Sequence, residues 1–312
     1  MTLTGKDYKN ISVVVILLAL AACLPLVSGA YLLAIGVTIA MYTVLATSWA
    51  LFSGPTHYIS LATAAFFGVG TYTTGIGIEY LPYWVLPIIA GVLGAVMAAL
   101  VGLATLRLSG VYFVIFTLGL AELVRQVITW FQNFSGQKGL YVLTEITEVH
   151  IYWQLVGLAA AVYLVGWLIG RSRLGFALRI IGDDEEVAAH SGINTSRAKV
   201  LLFMVSGSVA AIVGAMLAPR YIYIEPLLAF TPMLSFQVVI MALLGGTGRL
   251  WGPIVGVIPF TFLWEAISAS FPNQTTLLLG VCFLIIVYLL PRGFVGLLDK
   301  IRSKINAAEA YS

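Results

Sequence analysis

Residues 171–199 read RSRLGFALRIIGDDEEVAAHSGINTSRAK, the one long polar interruption in a chain that is apolar on either side of it. Within it, Leu174, Ala177, Leu178 and Ile181 recur at helical spacing, which predicts an amphipathic helix with Arg171, Arg173 and Arg179 near its polar side. A second, shorter helix follows. Asp183 stands as its N-cap, Glu186 three residues on completes a capping-box pattern, and the acidic run Asp184 to Glu186 suits the positive end of the helix dipole. Gly192 supplies the stop. A rod of about eight residues is ~12 Å long, below the dozen or so residues that an isolated helix needs in water, so something else must hold it. It reads either as a rod that offers Ala188 and Ala189 on its surface to another protein or as a solvated linker with ordinary helix punctuation. Residue chemistry alone leaves both open.

Outward from this stretch, composition restricts the class. Of 312 residues 61% are hydrophobic and 9% charged, with a mean hydropathy of +1.02. Soluble domains carry about 25% charged residues. The chain is therefore expected to be an all-α polytopic membrane protein, and its net charge of +3 is no sign of nucleic-acid binding. Cys23 and Cys282 both lie in apolar runs and read as packing residues rather than as a disulfide or metal pair.

Ten apolar runs are candidates to cross about 30 Å of hydrocarbon. They cover residues 11–30, 32–52, 59–79, 84–106, 109–130, 151–170, 200–221, 233–245, 251–270 and 275–290. Lys6 and Lys9 ahead of the first run also suit a signal peptide, and Leu20-Ala21-Ala22-Cys23 resembles a lipoprotein cleavage site. The run is read as an uncleaved span because its removal would upset the topology. Threading from a cytoplasmic N-terminus puts Lys6, Lys9, Arg107, Arg171, Arg173, Arg179, Arg197, Lys199, Arg249, Arg292, Lys300, Arg302 and Lys304 inside, thirteen of the sixteen Lys and Arg. Lys138 falls outside, while Arg125 and Arg220 lie in or at the end of spans. Both termini and residues 171–199 then face the cytoplasm. A single transmembrane domain, 1–312, is expected to have a first half 11–170, a cytoplasmic loop 171–199, a second half 200–290 and a cytoplasmic tail 291–312. Spans two to five and seven to ten run in opposite senses, as an inverted repeat requires.

Two spans are interrupted. Gly54 and Pro55 precede the third, which carries Gly68 and Gly70; the eighth is short and ends among Gly245, Gly246, Gly248 and Gly252. Such breaks mark either a substrate route or close helix packing through small residues.

The chemistry an enzyme needs is not in evidence. The sequence has no phosphate-binding loop of the form G-x-x-x-x-G-K-[ST], and His57, His150 and His190 are too far apart to suggest a metal site. Glu122 and Arg125, three apart on one helix face, are read as a structural pair near the outer interface. The competing reading is an ion-coupled secondary transporter using Glu122, Arg125 and Glu265. Glu225 belongs to an outer loop. With so few buried acids, the energy is expected to arrive through the cytoplasmic loop.

Five blocks carry a resemblance: SGPTHYISLATAAFFGVGTY (53–72), RLSGVYFVIFTLGLAELVR (107–125), SRLGFALRIIGDDEEVAAHSGINTSRAKVLLF (172–203), RYIYIEPLLAFTPMLSFQVVIMALLGGTGRLWGP (220–253) and LLPRGFVGLL (289–298). In that order they resemble permease subunits of the ABC importers for branched-chain amino acids. The resemblance implies a multi-pass protein of a bacterial or archaeal plasma (inner) membrane. Its implied partners are a second, similar permease, two ABC subunits that bind ATP and Mg, and an extracytoplasmic substrate-binding protein, with no cofactor in this chain. Residues 186–192 are similar to the E-A-A-x-x-x-G signature through which the ATPases grip the permease, with Val187 in place of the first alanine. The resemblance thereby assigns coupling to Asp183, Asp184, Glu185, Glu186, Val187, Ala188, Ala189 and Gly192. Candidates for the translocation path are Ser60, Thr63, Phe66, Tyr112, Thr117, Glu122, Gln237, Gly245 and Gly246. The loop 134–140 and the segment 60–68 depart from the family pattern. The expected cargo is a branched-chain or other small hydrophobic amino acid; relatives that carry urea and short amides supply the alternative.

Overall fold

A computed structural model describes residues 22–25, 29–105, 110–136, 139–289 and 293–296. The chain is almost entirely helical because a backbone inside hydrocarbon must satisfy its own polar groups. In order the elements are α1 (Ala30–Thr56), α2 (Thr63–Gly77), α3 (Leu86–Thr105), α4 (Val111–Ser135), β1 (Leu140–Tyr141), α5 (Glu148–Arg171), α6 (Arg173–Asp183), α7 (Glu185–His190), α8 (Thr195–Leu217), β2 (Tyr223–Ile224), α9 (Pro226–Ala229), α10 (Pro232–Gly245), α11 (Gly252–Ser270) and α12 (Thr275–Leu289).

Seven of the helical stretches are long and apolar enough to cross a membrane: Ala30–Thr56, Tyr83–Thr105, Val111–Ser135, Glu148–Arg171, Thr195–Arg220, Pro226–Gly245 and Gly252–Ser270. That is fewer than the ten runs in the sequence. The third run yields only the 15 residues of α2, because the chain is non-helical from 57 to 62, and the tenth yields the 15 residues of α12. Most of the first run lies outside the described residues, as do Lys6, Lys9, Arg107, Lys138, Arg292, Lys300, Arg302 and Lys304. The eighth run forms α10, which ends at Gly245 as the glycines there predict, and the short α9 precedes it across Phe230 and Thr231.

The bundle has two distinct ends. At one, the close of α1 meets α6 and the loop after α10: a Cβ on Gly54 would lie 2.9 Å from the Thr247 carbonyl oxygen, and one on Gly182 would lie 2.9 Å from that of Pro55. At the other, β1 pairs antiparallel with β2, Leu140 opposite Ile224 and Tyr141 opposite Tyr223, and Arg220 Nε lies 3.3 Å from Glu148 Oε1. The residues 171–199 and Arg249 therefore share an end, as the charge pattern predicts.

Small residues set the core. A Cβ on Gly70 would fall 1.8 Å from the Ala211 carbonyl oxygen, and one on Gly214 would fall 2.0 Å from that of Phe67, so α2 and α8 touch backbone to backbone. The glycines of the third span thus resolve into helix packing. Around this core, α1 packs on α8, α10 and α11, while α8 packs on α1, α2 and α3; α2 pairs with α3 and α10 with α11.

Candidate functional site

The short helix forms, with two differences from the expectation. Its cap is Asp184, whose carboxylate accepts from the N–H groups of Glu186 (2.8 Å) and Val187 (3.1 Å). Asp183 is instead the last residue of α6, because that helix runs one residue further and leaves Asp184 with the extended backbone a cap requires (φ −158°, ψ 117°). The helix is also shorter than eight residues, Glu185–His190, with Glu185 and Glu186 in the first turn. It closes as expected at Gly192, whose φ of +80° allows Ile193 N to reach Ala188 O and Gly192 N to reach Ala189 O, both at 3.1 Å.

The two alanines do not share a surface. Ala188 is fully buried, while Ala189 and Val187 point outward, because α7 lies against α6 and α8. The outer face is thus Glu186, Val187 and Ala189. Beneath α7, the amphipathic α6 buries Leu178 and Ile181 and exposes Arg173 and Arg179, and Arg171 stacks over Trp167 at 4.4 Å.

Within the bundle the starts of α2 and α10 meet. Ser235 Oγ accepts from Ala64 N (2.9 Å) and donates to Leu61 O (2.8 Å). Leu61 N donates to Thr117 Oγ1 (3.0 Å), Ala62 N to Ser60 Oγ (3.2 Å), and Trp49 Nε1 to Ser60 O (2.7 Å). These bonds supply what the unwound segment loses by leaving the helix. Ser60, Thr63 and Thr117 are therefore brought together, all buried, and Gln237 pairs with Tyr42 one turn into α10. Ser235, Trp49 and Tyr42 belong to this site and carry no signal in the sequence, since each acts across a long separation along the chain.

The other path candidates lie elsewhere. Phe66 stacks edge-on with Phe203 inside the core, ring centroids 5.5 Å apart. Tyr112 is 74% exposed at the start of α4. Gly245 lies at the end of α10, where a Cβ would come 2.1 Å from Gly252 O, and Gly246 closes that helix with φ +99°.

Glu122 forms the expected pair, with Arg125 Nε 2.8 Å from Oε2, and Gln126 Nε2 donates to Oε1 at 2.9 Å. It sits midway along the 25-residue α4, which continues to Ser135 with Thr117 level with Leu61 and Gln132 level with Tyr72. Gly119, Glu122, Gln126 and Asn133 form one exposed stripe along the helix, beside an apolar face of Leu123, Val127, Trp130 and Phe134. Glu265 accepts from Tyr31 OH at 3.4 Å near the bundle surface. Among the described residues, no group of three His, Cys, Asp or Glu side chains gathers as a metal site would need.

Seven bilayer-length helical stretches, the shorter α2 that starts inside the bundle where polar side chains satisfy a broken backbone, and a capped helix docked beside them define a polytopic membrane protein. The chain belongs to the family of branched-chain amino acid transport system permease components, whose model matches residues 31–290. It is similar to the high-affinity branched-chain amino acid transport system permease protein LivM of Escherichia coli, 25% identical over 98% of this chain and 80% of that protein. It also resembles LivH of the same organism, 29% identical over 53% of this chain and 50% of that one. A more partial likeness reaches the ribose import permease protein RbsC of Haemophilus influenzae, 25% identical over 45% of each chain. No solved structure matches the chain.

Proposed function

We propose that this chain supplies half of a membrane passage for a branched-chain or other small hydrophobic amino acid, opened by separate ABC ATPase subunits that grip α7. The observation that carries this is the seating of α7: six residues capped at both ends, held on α6 and α8, with Glu186, Val187 and Ala189 turned outward where the E-A-A-like pattern falls. A helix this short owes its order to what it rests on. Force applied to its outer face passes to α8 and the core. Asp183, Asp184, Glu185 and Gly192 shape the helix; the outward residues are the grip. ATP and Mg belong to the partner subunits.

The polar stripe of α4 supports the second permease. Glu122, Arg125 and Gln126, midway along α4, cannot face lipid tails there without large cost. A similar permease laid against this face would enclose Glu122 and complete the passage, with Ser60, Thr63, Thr117 and Gln237 at the broken helices behind it. The exchange of packing partners supports the inverted repeat: α1 takes α10 and α11 as α8 takes α2 and α3. Alternating access then consists of two packings of these repeats, biased by the partner's nucleotide state. The end that carries residues 171–199 faces the cytoplasm of a bacterial or archaeal cell, and an extracytoplasmic binding protein docks at the β1–β2 end.

Uptake of labelled leucine into liposomes holding this chain, its companion permease and the ATPases tests the reading. It should require ATP inside the compartment where α7 lies. Uptake by the lone chain without ATP overturns it. The place of Glu122 midway along α4 favours, as second reading, an ion-coupled carrier, for which a proton gradient alone would drive uptake. Competition by urea or acetamide in place of leucine would move the cargo to the short-amide class.

A further inference from the structure

Lys199 sits in the second turn of α8 and is 2% exposed. Its Nζ lies 2.5 Å from Glu185 Oε1, in the first turn of α7, and donates to Tyr58 OH at 3.1 Å while resting 4.4 Å above the centre of the same ring. Tyr58 belongs to the non-helical segment 57–62 that leads into α2, two residues before Ser60. The Tyr58 ring meets Phe113 of α4 edge-on at 5.3 Å, and Phe113 in turn contacts Phe52 and Phe203. One ammonium thus joins the short outer helix to the break at depth.

Stability alone is a poor account of this residue. An apolar side chain of similar length fills such a position without the cost of taking an ammonium out of water, and a buried ion pair repays that cost only with good geometry. The segment it holds begins where α1 ends, at His57, which closes that helix in the left-handed conformation (φ 57°) with its N–H donating to Ser53 O. Glu185, 43% exposed, is next to the outward face of α7, so a pull on that face reaches it first.

Resting on the reading of α7 as the ATPase grip, we propose that Lys199 is a positioning residue that transmits movement of α7 to the segment 57–62. With α7 seated, Glu185 and Tyr58 share the ammonium. When the partner draws α7 away, Glu185 leaves, the charge has Tyr58 as its remaining partner here, and the segment shifts with it. Charge-assisted bonds of this kind are short and directional, which makes the link two-state rather than elastic.

The test uses the assembled complex in nanodiscs, with Cys23 and Cys282 replaced by alanine and a reporter cysteine at the exposed Ile59. Lys199→Met should retain the ATPase subunits on purification and hydrolyse ATP, yet transport at least tenfold less leucine per ATP. Labelling of the Ile59→Cys thiol by a maleimide should change with nucleotide in the parent and not in Lys199→Met. Lys199→Arg, which keeps the charge, should recover part of both signals. If Lys199→Met does not fold, Tyr58→Phe and Glu185→Gln carry the same comparison from half-buried positions. A parent complex that never retains ATPases would refute the grip reading instead. Retained ATPases with unchanged transport per ATP, or labelling that still follows nucleotide, would overturn the role of Lys199.

Discussion

Ser235 and Leu61, 174 residues apart, are joined by a hydrogen bond of 2.8 Å from the Ser235 hydroxyl to the Leu61 carbonyl, and the same hydroxyl accepts from Ala64 N. Replacing it strips partners from a buried carbonyl and a buried N–H at once. Ser235→Ala should destabilise the protein by about 1–3 kcal/mol, read as a lower unfolding midpoint in detergent. Ser235→Thr, which keeps the hydroxyl, should lose less. An alanine variant as stable as the parent would show that the break is held by other means.

Asp184 and Asp183 are adjacent and chemically alike, but Asp184 alone caps α7. Asp184→Ala should cost about 1 kcal/mol of helix stability and weaken co-purification of the ATPase subunits about fivefold. Asp183→Ala should have little effect on either. Equal loss from both variants would mean that charge, and not the cap, is what the partner senses.

Gly70 has no room for a methyl group against Ala211 O, whereas nothing approaches the corresponding position at Gly157. Gly70→Ala should separate α2 from α8 at a cost of about 1–3 kcal/mol and reduce the yield of folded protein. Gly157→Ala should express like the parent. Thermal shift and membrane yield distinguish the two cases.

Glu122 and Arg125 neutralise each other midway along a membrane span. Glu122→Gln and Arg125→Met should each lower folded yield, and the double change should cost less than the two single costs added together. ATP-driven uptake by any variant that folds should be indifferent to an imposed proton gradient. Loss of a gradient-driven signal in Glu122→Gln would instead support the ion-coupled reading.

Much of this was legible in the residues. Uninterrupted apolar runs place most spans within a few residues, because hydrocarbon thickness sets helix length. Gly54 and Pro55, read ahead of the third run, fall in the last turn of α1 just before the non-helical residues 57–62, and the glycines read at the end of the eighth run close α10 at Gly245. The residue pattern puts the cap of α7 one position early because either aspartate has the right side chain and only the backbone decides. It offers Ala188 as surface because the packing of α7 on α6 and α8 is tertiary. Lys199 read as one more cytoplasmic charge for the same reason: nothing local reveals that Glu185 and Tyr58 close around it. Ser235 went unnoticed because its partners lie in the other half of the chain.

The reciprocal notching of Gly70 on Ala211 and Gly214 on Phe67 has a mechanical corollary. Two rods meshed tooth to backbone slip only by a whole tooth, so α2 and α8 travel as one keel, with α3 fastened to α8. Whatever hinges must do so where the grip is light, and α4 and α5, each with 22% of its most apolar stretch buried, are the loosest planks on that hull.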